Sequence, residues 1–374
     1  MKVLHILNEL KHSGAEVRLQ LAYERFQKSG IESHILSTGN QVGDYAAVLR
    51  DTGYRIHHIP FRKRIGFLGF LIDIGKLLQN ERFSAVHIHT QRAFIWYVLM
   101  ARLADVRIIV KTFCSVFLFS SYLGWKKGRL WRKLSSKVFG VVNTAGSHSV
   151  VEVEKKRFDN ECILIPNWTD VHRFRPPSER EHLEARRAYD LELDDFTIVT
   201  IGACTRIKNH LAVFRALKEA NKYLERKKLV FLHVGTGPML EEEQLYVRQH
   251  GIGEDCRFVG ILNDVRPCLF AADAFVMTSE WEGLAVSALE AMSTGLPPIL
   301  YNVYGLRDLL RGGKGGLLIE PNEERLAEAL LLLNERPELR KRYGEEARQI
   351  ILNTYSLEDS VDKFIQLYRG QKVG

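Results

Sequence analysis

The sequence has few cysteines, and their positions do not suggest a disulfide framework. There are five in 374 residues, an odd number, scattered along the chain and without a C-x-x-C pair. Small folds that are held together by disulfides are therefore excluded, and free thiols in a reducing compartment are expected. The cysteine pattern predicts a cytoplasmic protein.

Long apolar runs are absent as well. The run at residues 65–72 stops at Asp73, far short of the roughly 18–20 residues that a membrane span needs. The apolar stretch at residues 3–7 is too short for a signal peptide and lacks a small-residue cleavage site. Neither a spanning helix nor a signal peptide is therefore expected.

Acidic residues are missing from one part of the chain. Residues 106–151 contain none, but they contain eight Lys and Arg. Residues 1–175 hold 27 basic against 14 acidic residues, whereas the remainder holds 26 against 31. The N-terminal half is therefore expected to face an anionic partner, which could be phosphate, nucleic acid or lipid headgroups.

Short β-rich segments alternate with segments of helical period, and this pattern predicts parallel sheets with right-handed crossovers. The N-terminal strands are expected at residues 3–7, 33–37, 85–88, 108–111, 138–142 and 162–165. After a break at Pro176-Pro177, strands are expected at residues 196–201, 229–234, 256–259, 274–277, 298–301 and 316–319. The chain is predicted to be an α/β protein with two doubly wound domains, residues 1–172 and 173–355.

Sheets of this kind bind ligands beyond the carboxyl ends of their strands, so a site in a cleft between two facing domains is expected. The segment 279–292 is the main candidate, because a helix expected from Leu284 offers free N–H groups that suit a diphosphate. Glu282 before this helix and Glu290 about two turns along it could bind hydroxyls roughly 12 Å apart. Taken alone, the pair could also be a loop glutamate and a surface-helix glutamate.

The segment resembles the E-x7-E signature of glycosyltransferase family 4, the glycosyl transferases group 1, and further matches follow in the family's order. They are Ser13-Gly14-Ala15-Glu16, His87-Ile88-His89, Pro166-Asn167-Trp168-Thr169-Asp170, Gly235-Thr236-Gly237-Pro238, Phe258-Val259-Gly260 and Gly295-Leu296-Pro297. The resemblance implies a GT-B fold of two facing Rossmann-like domains and retaining transfer from a nucleotide sugar. It also implies an acceptor-side N-terminal domain, a nucleotide-sugar-binding C-terminal domain, and a last helix, about 356–374, that crosses back to the first domain.

The resemblance also implies roles for residues in the donor domain. Glu282 would bind hydroxyls of the transferred sugar, Glu290 would bind the ribose, and Lys208 would stabilise the departing nucleoside diphosphate. The family usually has an arginine where this chain has Ala203, and Arg206 could replace it from another angle. The further donor-binding positions are Gly14, Gly260, Gly283, Leu284, Ala285 and Val286.

The catalytic centre on the N-terminal side departs from the family's pattern. The family often has a histidine after the strand that ends near Thr112, and Cys114 occupies that place here. His89, and less so His87, could lie nearby at the end of the preceding strand, although a lone histidine is more often structural. The catalytic candidates are therefore Glu282, Lys208, His89 and Cys114.

No cofactor or metal ion is expected at the donor. The sequence has no D-x-D motif at a strand end, since Asp194-Asp195 precedes a strand. Positive side chains and a helix start would take the metal's electrostatic role, and the resemblance implies the same.

Basic and aromatic residues are interleaved at residues 61–68 and 116–137, a composition typical of segments that bind an anionic membrane surface. The N-terminal domain is expected to lie peripherally at the inner face of the plasma membrane. There it would take a glycan or lipid-linked acceptor in cell-surface polysaccharide or glycolipid synthesis. A solvated helix with one core face is the alternative. Nucleic acid is not expected, because no binding module accompanies the basic residues.

Two other functions fit the same residues. A nucleotide-sugar epimerase on this fold would need no acceptor, and a non-catalytic nucleotide-sugar-binding subunit would account for Ala203 and Cys114. A UDP-sugar is the expected donor, but the sequence identifies neither the sugar nor the acceptor.

Overall fold

A computed structural model describes residues 1–62, 66–116, 122–224 and 229–373. The chain divides into two compact units. The first unit comprises Met1–Trp168 and Leu357–Gly374, and the second unit is Thr169–Ser356. Each unit is built around one parallel sheet with helices between the strands, so the α/β prediction is confirmed.

The first unit contains a seven-stranded sheet in the order β3-β2-β1-β4-β5-β6-β7. Its strands are β1 Lys2–Leu7, β2 Glu32–Ser37, β3 Arg55–His58, β4 Ala85–Ile88, β5 Ile108–Phe113, β6 Val142–Ala145 and β7 Ile163–Leu164. Its helices up to residue 158 are α1 Gly14–Lys28, α2 Ala46–Thr52, α3 Phe67–Glu81, α4 Phe94–Leu103, α5 Tyr122–Lys137 and α6 His148–Phe158.

Helices cover both faces of this sheet because the strands are apolar on both faces. Along β1, Val3 and Leu7 belong to one buried cluster, whereas Leu4 and Ile6 belong to another. The first cluster includes residues of α1, and the second includes residues of α3 and α4. Side chains alternate along a strand, so a doubly covered parallel strand shows a nearly continuous apolar run.

The second unit contains a six-stranded sheet in the order β10-β9-β8-β11-β12-β13. Its strands are β8 Phe196–Ile201, β9 Leu229–Val234, β10 Cys256–Gly260, β11 Ala274–Met277, β12 Pro298–Tyr301 and β13 Leu317–Ile319. Its helices are α7 Glu179–Ala188, α8 His210–Asn221, α9 Leu240–Gln249, α10 Arg266–Ala271, α11 Val286–Ser293, α12 Glu323–Glu335 and α13 Pro337–Thr354.

The last helix, α14 Leu357–Tyr368, belongs to the first unit. Phe364 of this helix is buried in the same cluster as Val3 and Leu7. Asp362 forms an ion pair with Arg25 of α1 at 2.5 Å. The apolar face of α14 therefore completes the core of the first unit.

The strands differ from those expected at two places. The strand expected at 138–142 lies at Val142–Ala145, because the Val138 N–H donates to the Leu134 carbonyl and continues the end of α5. Strand β3 was not predicted, since its Arg-Ile-His-His sequence has a single aliphatic residue. Edge strands need little apolar character, which leaves only a weak sequence signal.

The basic segment around α5 is less exposed than its composition predicted. Of its eight basic residues, Lys111 and Arg132 are buried, and Arg132 forms an ion pair with Glu154 at 2.7 Å. Residues 63–65 and 117–121, which carry part of the two predicted membrane-binding segments, lie outside the described residues. Within the described ranges, no helix has the length and hydropathy of a membrane span.

Candidate donor site and family

The candidate donor site lies at the point of the second sheet where the strand order reverses. Strands β8 and β11 are neighbours, and the chain runs outwards from β8 to β10 and from β11 to β13. Helices that leave two such strands lie on opposite faces of the sheet, so a crevice opens beyond the carboxyl ends of the strands. The loops after β8 and β11, residues 202–209 and 278–285, carry the residues that the sequence singled out.

Backbone and side-chain hydrogen bonds join these two loops. The Glu280 N–H donates to the Ile207 carbonyl at 2.8 Å. The Thr278 hydroxyl donates to the Asn209 carbonyl at 2.9 Å, and the Ser287 hydroxyl of α11 donates to the Ile201 carbonyl at 3.0 Å. These hydrogen bonds hold the two loops together. Side chains of the loop after β8 can therefore contact side chains of the loop after β11.

Lys208 and Glu282 meet at this edge. The Lys208 ammonium donates to Glu282 Oε1 at 2.5 Å, and the Ser279 hydroxyl donates to the same oxygen at 2.8 Å. The two charged side chains are 23% and 15% exposed, so they remain open to a ligand while largely shielded from water. Ser279 lies in the candidate segment, but the sequence assigned it no role. In the structure its hydroxyl orients the Glu282 carboxylate.

The backbone around Glu282 is fixed by a close approach of the chain. The Glu282 N–H donates to the Tyr304 carbonyl at 2.9 Å. Gly305 has φ +85°, and a Cβ there would lie 2.4 Å from the Glu282 carbonyl oxygen. Only glycine fits both the conformation and the space. The close approach of residues 304–305 therefore fixes the backbone of Glu282.

Helix α11 begins later than predicted. Its first residue is Val286, and Ala285 is the extended N-cap residue, whereas the sequence placed the start at Leu284. Glu290 is therefore only about one turn into the helix, not two. Within the described residues no side chain caps the start of α11, so its first backbone N–H groups, including that of Val286, are left for another acceptor. Gly283 and Leu284 are buried just before it.

Glu290 is a buried carboxyl group with unusual electrostatics. Burial raises its pKa to about 8, the nearby Arg173 guanidinium opposes this, and Asp264 adds to it. No hydrogen bond from a described residue contributes to this shift. The carboxyl group is therefore free to accept hydrogen bonds from the hydroxyl groups of a ligand.

The remaining positions of the donor prediction lie in both units. Ala203 and Arg206 are both exposed in the loop after β8. Gly260 ends β10 with φ +79°, and a Cβ there would meet nothing within 4 Å, so conformation rather than space favours glycine. Gly14 is in the first unit, at the first position of α1, where its carbonyl accepts a hydrogen bond from Arg18 Nε at 2.9 Å.

The first unit has its own reversal of strand order, between β1 and β4, and histidines cluster there. His87 is fully engaged, since Nδ1 contacts the Tyr368 hydroxyl and Nε2 contacts the Thr112 hydroxyl, each at 2.6 Å. His89 Nε2 lies 3.2 Å from His5 Nδ1, and its own Nδ1 is buried without a partner in the described chain. Burial holds the pKa of His89 well below its usual value, so the ring is neutral.

Cys114 follows the neighbouring strand β5 and is partly exposed. Its sulfur lies 4.0 Å from Nη2 of the buried Arg18. The Arg18 guanidinium also hydrogen-bonds Asn167 and lies 5.2 Å from the centre of the Trp168 ring. The sequence did not single out Arg18, because only the fold joins α1 to residues 114 and 167.

Comparison with known families decides the class of the protein. Residues 182–350 match the family model described as "Glycosyl transferases group 1", and residues 13–155 match the "Glycosyl transferase 4-like domain". The two matches follow the two units and together span most of the chain. The chain belongs to this family of glycosyltransferases.

Relatives of this group 1 glycosyltransferase carry glycosyltransferase names. EpsF of Bacillus subtilis is 28% identical over 311 residues, which are 80% of this chain and 78% of EpsF. A protein of Escherichia coli named UDP-Gal:alpha-D-GlcNAc-diphosphoundecaprenol alpha-1,3-galactosyltransferase is 29% identical over the same shares of both chains. Their names support the prediction that the protein is a hexosyltransferase-type enzyme.

Solved structures support the fold of the group 1 glycosyltransferase. HepE of Anabaena, in complex with UDP and glucose, superimposes with a TM-score of 0.84 over 98% of both chains at 16% identity. A glycosyltransferase of Rickettsia africae superimposes with a TM-score of 0.83 over 99% of this chain and 98% of the other, at 18% identity. The predicted GT-B class is thereby confirmed.

Proposed function

We propose that this glycosyltransferase transfers a sugar from a UDP-sugar to a glycan or lipid-linked acceptor with retention of the anomeric configuration. The observation that carries the proposal is the Lys208–Glu282 pair, which lies at the strand-order reversal of the second unit, in the loops that lead into α8 and α11. A cation and a helix start suit a diphosphate, and a fixed carboxylate suits sugar hydroxyls. In this proposal no divalent ion contacts the diphosphate.

The proposed roles follow from the charges of the described groups. Lys208 and the N–H groups at Ala285 and Val286 neutralise the diphosphate as it departs. Glu282 exchanges its contact with Lys208 for sugar hydroxyls. Glu290 accepts hydrogen bonds from the ribose, and these favour its ionised form.

The first unit is proposed to provide the acceptor side. His89 and Cys114 follow neighbouring strands, and Lys111 links their surroundings by donating to the His89 carbonyl at 3.3 Å. Burial lowers the pKa of Lys111 to about 8, so this ammonium loses its charge more readily than an exposed lysine. Two relatives have names that include diphosphoundecaprenol and poly(ribitol-phosphate), which favours a phosphate-linked acceptor here.

A donor panel tests the proposal. We expect UDP-sugars, rather than GDP- or ADP-sugars, to raise the unfolding temperature by about 2 °C or more, because ligands stabilise the state that binds them. With a lipid-linked acceptor and the matching UDP-sugar, NMR of the product should show a linkage of the donor's own anomeric configuration. Added Mg²⁺ or Mn²⁺ should leave the initial rate unchanged.

Each rival function gives a different result in the same panel. Conversion of the donor sugar without acceptor would identify an epimerase. Nucleotide binding without transfer or donor hydrolysis would identify a non-catalytic subunit. A product of inverted configuration, or a strict requirement for an added metal ion, would contradict the proposed chemistry.

We also propose that α5 binds an anionic membrane surface. Its exposed cations include Lys126, Lys127 and Lys133, and its exposed apolar side chains include Leu123 and Leu130, which are 79% and 58% exposed. Large exposed apolar groups beside cations are typical of interfacial helices. The buried Arg132 lies on the opposite, core-facing side, so α5 is amphipathic with its cations outward.

Flotation with liposomes measures this interaction. At low salt the protein should float with anionic vesicles and not with neutral ones. The double variant Lys126→Glu/Lys127→Glu should weaken binding by about 30-fold or more, because each lysine contributes on the order of 1 kcal/mol near an anionic surface. The matched control Lys314→Glu/Lys341→Glu changes the same charge on the second unit and should float normally. Equal loss in both variants, or no flotation of the wild type, would rule out α5 as the contact.

A further inference from the structure

Four buried side chains of the second unit converge beneath the loop that carries Lys208. They are Cys204 in that loop, His210 at the start of α8, His233 in β9 and Glu243 in α9. Each is at most 2% exposed. One ligand atom from each of the four lies within 4.8 Å of every other. Such a set of sulfur, two ring nitrogens and a carboxylate is uncommon in an apolar interior unless a common partner holds it.

The distances between these atoms match those between ligands of a tetrahedral zinc ion. Bond lengths of about 2.0–2.1 Å to nitrogen or oxygen and about 2.3 Å to sulfur imply separations of about 3.3 Å between two light ligands and about 3.6 Å between sulfur and nitrogen. Cys204 Sγ lies 3.7 Å from His233 Nε2, and the two ring nitrogens lie 2.9 Å apart. Glu243 lies 3.2 Å from each ring nitrogen through its two oxygens.

Hydrogen bonding alone does not satisfy this cluster. Glu243 Oε2 faces His233 but has no hydrogen-bond partner among the described residues. The outer ring nitrogens, His210 Nε2 and His233 Nδ1, are buried without partners in the same ranges. Phe214, Phe231 and Phe258 surround the His233 ring. The rings are therefore oriented by apolar packing, and their inner nitrogens point to a shared centre.

We propose that Cys204, His210, His233 and Glu243 bind one divalent transition-metal ion, which is zinc by their ligand chemistry. Mixed sulfur, nitrogen and carboxylate ligands suit zinc rather than magnesium or calcium. All four positions come from protein, so the site is closed and structural. It is separate from the donor diphosphate, and it anchors the loop of Lys208 to α8, β9 and α9.

Charge and protonation agree with this assignment. A thiolate and a carboxylate neutralise a divalent cation, so the occupied site is buried without net charge. A cysteine binds zinc as its thiolate, so binding of the ion releases the thiol proton.

Metal analysis of the untagged full chain tests the site. Plasma mass spectrometry should find one zinc per chain. Removal by a chelator should lower the unfolding temperature, and zinc should restore it. Cobalt(II) in place of zinc should give visible d–d bands of tetrahedral strength and a near-ultraviolet thiolate-to-cobalt band. Cys204→Ser should lose the thiolate band, and Glu243→Gln and His233→Ala should weaken metal binding by more than about 100-fold.

Matched controls separate metal binding from general damage. Cys256→Ala and His250→Ala change the same residue types in the same unit outside the cluster and should keep one zinc per chain. If a ligand variant fails to fold, the cobalt spectrum of the wild type still decides. A wild type with no bound zinc, no cobalt thiolate band and no response of its unfolding temperature to zinc would overturn the proposal. So would a Cys204→Ser variant with an unchanged cobalt spectrum.

Discussion

Lys208→Ala should lower kcat/KM for transfer by about 10²–10³-fold, the usual cost of removing one group that stabilises developing charge. The ammonium meets the diphosphate most strongly once the glycosidic bond breaks, so most of the loss should fall on kcat rather than on donor affinity. Steady-state kinetics with saturating acceptor, together with donor titration by calorimetry, separate the two quantities.

Arg206→Ala is the matched control for this variant. Arg206 shares the loop with Lys208 and carries the same charge, but it is exposed. We expect a loss of no more than about tenfold, consistent with a screened surface charge. If Arg206→Ala has a larger effect than Lys208→Ala, Arg206 is the residue that binds the diphosphate. An unchanged kcat in Lys208→Ala would exclude Lys208 from the reaction.

Glu290→Gln should have opposite effects on stability and on donor binding. The pKa of Glu290 is raised from 4.5 to about 8 in the folded protein, so folding must protonate this group at any pH between these values. The penalty is absent near pH 4, grows as the pH rises through 4.5, and levels off above pH 8. At pH 7 the neutral glutamine should therefore raise the free energy of unfolding by about 3 kcal/mol. Urea unfolding of the ligand-free protein at pH 4 and pH 7 measures the difference.

The same variant should bind the nucleotide about 10–100-fold more weakly, because a neutral amide replaces a carboxylate that accepts two ribose hydroxyls. Binding to the wild type should release a proton near pH 7, since ribose favours the ionised carboxylate; calorimetry in buffers of different ionisation enthalpy detects it. Glu280→Gln, a change in the exposed part of the same loop, should alter neither quantity. Equal nucleotide affinity in Glu290→Gln and wild type would remove Glu290 from the donor site.

The sequence predicted every described strand except β3, and it misplaced β6. Strands such as Ala85–Ile88 and Pro298–Tyr301 are short, buried and apolar, so their bounds follow directly from composition. The core-facing side of helix α5 was not predicted, because its cations and aromatics suggested a surface segment. Its core contact is a buried charge, Arg132. Periodicity identifies apolar faces and does not reveal a helix whose buried contact is an ion pair.

The candidate donor residues could be proposed one by one from the sequence, but their contacts could not. The spacing of Glu282 and Glu290 indicated the candidate site, whereas the ion pair of Glu282 with Lys208 joins residues 74 positions apart. The cluster of Cys204, His210, His233 and Glu243 left even less trace, since it lacks the close ligand spacing of known zinc motifs. Its four residues come from separate elements, so only the folded sheet brings them together.

The position of α14 has a consequence for synthesis. Its side chains, such as Phe364 and Tyr368, complete a core that begins at Val3, yet the ribosome makes them after every residue of the second unit. The nascent first unit therefore emerges with an uncovered apolar face, which remains exposed to chaperones or aggregation during translation. The second unit is contiguous in sequence and can close its own core first, so the part made later is expected to mature earlier.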